Sequence, residues 1–127
     1  MNTDITNKAD ITLLVEAFYQ TVMEDDLLKG IFIKAKFDLE THIPVMVSFW
    51  QTVLLHENQY HGNPMIKHIE LNQLVPLKGE HFSRWLQIWE NTIHKNFNGP
   101  VADDAVKRAS TIAQIMQNKI SLYQQGS

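Results

Sequence analysis

The chain has 127 residues, of which 44% are hydrophobic, and eleven Lys and Arg against fourteen Asp and Glu leave a formal charge of −3. That is one ordinary globular domain with a single core, neither disordered nor long enough for two. No apolar run exceeds three residues, against the roughly 20 that a spanning helix needs. The absence of cysteine removes disulfides, thiolate metal sites and thiol catalysis together.

Mild acidity without any Lys/Arg cluster argues against nucleic acid as the main partner. Residues Met1-Asn2-Thr3-Asp4 show no basic segment followed by an apolar one, so the cytoplasm is the default expectation. Six histidines and three tryptophans are the unusual part of the composition.

The hydrophobic spacing is helical nearly throughout, which predicts an all-α domain with its core over about residues 7–123. From Asn7 to Asp25, Ile11, Leu14, Val15, Phe18, Tyr19 and Val22 form one stripe, with Thr6 or Asn7 as the N-cap. Leu27 to Ile33, broken by Gly30, reads as a turn of helix. A longer helix should run from about Asp38 to His56, with a kink or a restart at Thr41 or His42 to accommodate Pro44.

Residues 57–64 read as a loop, Met65 to Leu71 as a short helix, and the stretch through Pro76 and Gly79 as another loop. Phe82, Trp85, Leu86, Trp89, Ile93 and Phe97 mark a strongly amphipathic helix that Asn98-Gly99-Pro100 stops. A last helix is expected from about Ala102 to Tyr123.

A histidine-rich chain first suggests zinc, but no HExxH or HxxxH pair occurs on one helix face, and no Glu has a His three residues later for a di-iron bundle. A single-histidine cofactor site is different. One neutral imidazole can hold haem iron while the porphyrin fills an apolar slot between helices. His68, among Met65, Ile66, Ile69 and Leu71, suits that role, although spacing alone favours a solvent-facing histidine on a surface turn.

The stretch Tyr60-His61-Gly62-Asn63-Pro64-Met65-Ile66-Lys67-His68 resembles the YxGxPxxxH proximal segment of group III truncated haemoglobins. Phe18-Tyr19 resembles the family's Phe-Tyr pair, His42 through Phe49-Trp50 its distal-helix segment, and Phe82-Ser83-Arg84-Trp85-Leu86 the segment with its ligand-side tryptophan. The four pieces fall in the family's order over about residues 11–118.

The resemblance implies a two-over-two helical sandwich around one b-type haem, with His68 as the proximal iron ligand. It also implies that Tyr19 and Trp85 donate hydrogen bonds on the distal side and that His42 stands near the haem edge. Such donors oppose the partial negative charge on the outer atom of bound dioxygen. Met46, Phe32 and Trp50 would wall the slot, and Lys67 would pair with a propionate. Each of these side chains has a plainer reading from spacing alone: Tyr19, Trp85, Met46, Phe32 and Trp50 as core, His42 as a helix-start residue, Lys67 as a solvated lysine. His56, His61, His81 and His94 read as surface.

The function implied is reversible binding of O2, NO, CO or a similar diatomic. The alternatives are nitric oxide dioxygenation or peroxide chemistry with electrons from an external reductase, or a cofactor-free helical interaction module. The chain is expected to be a monomer or a weak homo-oligomer.

Overall fold

The structure, a computed structural model, describes residues 3–34, 39–56 and 79–125. Five helices occur among them: α1 (Lys8–Glu24), α2 (Lys29–Lys34), α3 (Leu39–Leu55), α4 (Gly79–Asn96) and α5 (Pro100–Gln125). The expected loop at 57–64 and short helix Met65 to Leu71 lie outside the described residues. No described helix is long and apolar enough to cross a membrane.

Asn7 is the cap of α1. Its side chain accepts the N–H of Asp10, and the Asp10 carboxylate in turn accepts from the N–H and hydroxyl of Thr6. The Asn7 side chain thus serves a donor inside the helix, and Asp10 reaches back to one just before it. The buried face of α1 is the stripe that spacing predicts, Ile11, Leu14, Val15, Phe18, Tyr19 and Val22.

Three boundaries differ from expectation. Gly30 lies inside α2 and does not break it; the Asp25 carboxylate just upstream accepts the N–H groups of Leu27 and Leu28. The third helix starts at Leu39 and runs through Pro44 with no restart at Thr41 or His42. Pro44 sits in the second turn on the exposed side, so the carbonyl it leaves without an intrahelical donor can turn to water. Pro100, read as a stop, is the first residue of α5, where a fixed φ and a missing N–H cost nothing.

Two helix pairs, α1 with α3 and α4 with α5, stack mainly through α1 against α4. Phe18, Ile11, Leu14 and Ile93 fill the middle and are almost wholly buried. Ala102, Ala105, Ala109 and Ala113 are all buried on α5, a seam of small side chains that lets α4 approach closely. There the indole N–H of Trp89 donates to the Ala105 carbonyl at 3.1 Å.

The N-terminal segment is part of this framework. The Asp4 carboxylate accepts the N–H groups of Val101 and Ala102 at 3.0 and 2.8 Å, and that of Ile5 at 2.9 Å. The residue before α5 is Gly99, which has no side chain to cap it, so Asp4 takes the capping place from the far end of the chain. Gly99 itself has φ +152, and a Cβ there would fall 2.5 Å from Cγ of Asp4.

Candidate functional site

Tyr19 comes from the last third of α1, Phe32 from α2 and His42 from the first turn of α3. Tyr19 Oη and His42 Nε2 are 2.7 Å apart, and the two rings meet edge to face with centroids 5.2 Å apart. Phe32 packs edge-on to Tyr19 from the other side, at 6.2 Å. Tyr19 is only 7% exposed, and burial pushes its phenol well above the ordinary range for ionisation. The phenol therefore stays neutral, and where Nε2 carries no proton the phenol donates to it; in the other tautomer Nε2–H donates to the phenol.

His42 begins a stripe along α3. His42, Met46, Phe49 and Val53 follow steps of four, three and four, so they share one helix face. Met46 is buried, while His42, Phe49 and Val53 are half-buried at the margin of the core. Trp85 and Leu86 of α4 are half-buried against the same core. The result is an apolar wall with one polar pair at its end, which suits a flat apolar group whose bound ligand needs a hydrogen bond.

Trp85 stands one ring removed from Tyr19. Phe18 lies between them, 5.0 Å from Tyr19 and 5.7 Å edge-on from Trp85. Trp50 is 4% exposed and stacked on Trp89 at 4.7 Å inside the core. His68 and Lys67 lie outside the described residues, as does His61. Among the other histidines, His56 and His94 are exposed and His81 is half-buried. Among the described residues, no group of three His, Cys, Asp or Glu side chains could hold a metal ion.

A concavity of about 710 Å³ opens between α1 and α3. Tyr19 itself lines it, together with Glu16, Glu24, Glu40, Met23, Ile43 and Pro44. Three carboxylates would repel an anionic group such as a porphyrin with its propionates.

Sequence reasoning missed Phe18 and Phe49 as parts of the site. Their signal was present: Phe18 adjoins Tyr19, and Phe49 lies one turn beyond Met46. The role of Trp89 as the bridge between Trp50 and Trp85 had no signal, because periodicity tells the face of a helix and not the partner across from it.

The family model for bacterial-like globins matches residues 3–118. The chain is 31% identical to a protein of Campylobacter jejuni described as group 3 truncated hemoglobin ctb, covering 97% of this chain and 98% of the relative. Its structure is similar to the crystal structure of group III truncated hemoglobin from Campylobacter jejuni, with TM-score 0.82 and 31% identity over 94% of this chain and 95% of the other. The all-α truncated globin fold implied by the sequence resemblance is the fold observed.

Proposed function

Since the chain belongs to the bacterial-like globin family, in its group III truncated form, its function is of the globin, haem-binding type, and we propose that it holds one haem b and reversibly binds O2 or a similar diatomic. The haem would be held without covalent attachment, because there is no cysteine to attach it. His68 would ligate the iron, Lys67 would pair with a propionate, and Met46 and Phe32 would pack against the ring, with Trp50 behind them in the core. Haem supplies the iron site at which a diatomic binds.

The observation that carries this reading is the Tyr19–His42 pair, 2.7 Å apart at the end of an apolar wall. Tyr19 stays neutral and keeps a proton to donate. Trp85, half-buried, offers a second donor in its indole N–H. In a low-dielectric pocket each such bond to a partly negative ligand atom contributes about 1–3 kcal/mol, slowing ligand escape about 5- to 100-fold. His42 both orients Tyr19 and, half-buried, stands between the pocket and water.

Reconstitution with haem tests the reading. The expected result is a Soret band at one haem per chain that is lost or strongly weakened in His68→Ala and partly restored by added imidazole. An unchanged ferrous spectrum with full haem content in His68→Ala would overturn the ligand assignment. No Soret band in the parent chain would overturn haem binding itself.

A further inference from the structure

The three tryptophans form one array. Trp85 and Trp89, on successive turns of α4, lie parallel within 5° at 6.3 Å, and Trp89 stacks on Trp50 of α3 at 4.7 Å and 24°. Phe18 meets Trp85 and Trp89 edge-on at 5.7 and 5.2 Å. Exposure falls along the series: Trp85 is half-buried, while Trp89 and Trp50 are 2% and 4% exposed. Packing accounts for each contact, but indole and phenol are also the side-chain rings that lose an electron most readily. Here the three indoles run in contact from half-buried Trp85 into the core, with the Phe18 ring between Trp85 and the Tyr19 phenol.

The buried indoles and the Tyr19 phenol differ in what happens to a proton. The Trp89 N–H is bonded to the Ala105 carbonyl, which favours positive charge on the indole and accepts no proton. The Tyr19 hydroxyl faces His42 Nε2 at 2.7 Å, a base that takes the proton as an electron leaves.

We propose that Trp85, Trp89 and Trp50 are an electron-donating relay that works with the Tyr19–His42 pair to reduce hydrogen peroxide at the distal face. This rests on the haem reading above. Hydrogen peroxide takes two electrons and two solvent protons, its O–O bond breaks, and two waters form. One electron comes from Tyr19, which becomes a neutral phenoxyl radical as its proton passes to Nε2 of His42. The other leaves Trp85 and is replaced from Trp89 and then Trp50, so the positive charge ends on the buried Trp89–Trp50 stack. There two overlapping rings share it beside the Ala105 carbonyl.

The test mixes the haem-loaded chain with equimolar hydrogen peroxide. Freeze-quenched samples are read by high-field electron paramagnetic resonance, and peptides are mapped for oxygenated tryptophan by mass spectrometry. The expected result is a tryptophan radical cation beside a tyrosyl radical, with most oxygenated tryptophan at Trp89 and Trp50. Both Trp50→Phe and Trp89→Phe should move oxygenation toward Trp85 several-fold, and the smaller change in Trp50→Phe keeps the test usable if Trp89→Phe folds poorly. A Soret band with oxygenation confined to Trp85 in the parent, or with the same pattern in Trp50→Phe, would overturn the relay alone. Absence of a Soret band would overturn the relay and the haem reading together.

Discussion

The hydroxyl of Tyr19 and Nε2 of His42 lie 2.7 Å apart, so the side chain best placed to donate to a bound ligand already has a second claimant for its only proton. Removing that claimant should strengthen donation to the ligand. In His42→Leu, O2 dissociation is expected to slow by about 2- to 10-fold, the worth of one hydrogen bond, whereas in Tyr19→Phe it should quicken. Stopped-flow displacement of O2 reads both. A faster dissociation in His42→Leu would show that the imidazole itself holds the ligand. Protonating His42 acts in the same sense, since the imidazolium can only donate to Tyr19 Oη and leaves the phenolic proton for the ligand.

Tyr19 and Trp85 meet through Phe18, which separates their effects on stability from their effects on ligand. Tyr19→Phe and Trp85→Phe should therefore add nearly independently in thermal melts of the ligand-free protein. They should depart from additivity in O2 dissociation, because both donors serve one ligand. Carbon monoxide, with less charge on its outer atom, should respond less to either change. Equal effects on O2 and CO would mean altered access or packing instead.

Asp4 makes acid stability a local question. Burial alone would raise its carboxyl, but the N–H groups of Val101, Ala102 and Ile5 outweigh that and hold it below the ordinary value of 3.8. A group depressed on folding contributes stability that is full above its unfolded value and is lost as pH falls through its folded value. Asp4→Ala should lower stability by about 0.5–2 kcal/mol at neutral pH, as for other lost caps. The gap from the parent should close below about pH 4. Circular-dichroism melts across the acid range would show it; a gap that persists at the lowest pH would mean that packing, not charge, accounts for the loss.

Gly99 is tied to the same contact. An alanine there must adopt φ +152 and also place its Cβ 2.5 Å from Cγ of Asp4. Gly99→Ala should destabilise the fold by about 1–3 kcal/mol from the backbone alone, and by more with the clash. Combining it with Asp4→Gly should recover the clash and not the backbone cost. A double-mutant cycle in urea measures the difference, and strict additivity of the two changes would contradict the contact.

Local features were legible from the sequence where their cause was local. The α1 stripe and the Asn7 cap follow from spacing and from a side chain acting three residues away. Pro44 misled because its effect depends on which turn it occupies and whether that side faces solvent, which the residue alone does not reveal. The four family segments placed Tyr19, His42 and Trp85 on one site, but not the hydrogen bond between the first two or the phenyl ring between Tyr19 and Trp85. Nothing near Asp4 in sequence hints at its partners, because they lie 97 and 98 residues away.

That separation also orders events during synthesis. At about 5–20 residues per second, roughly 5–20 s pass between the appearance of Asp4 and that of Val101. Through that interval Ile5, which ends 1% exposed, has no start of α5 to settle beside. The described helices before α5 must gather without their final strap, and the segment around Asp4 is among the last pieces to dock. A fusion partner or tag joined close to Asp4 would then burden the closing step of folding more than the early ones, and would do so however well the helices themselves form.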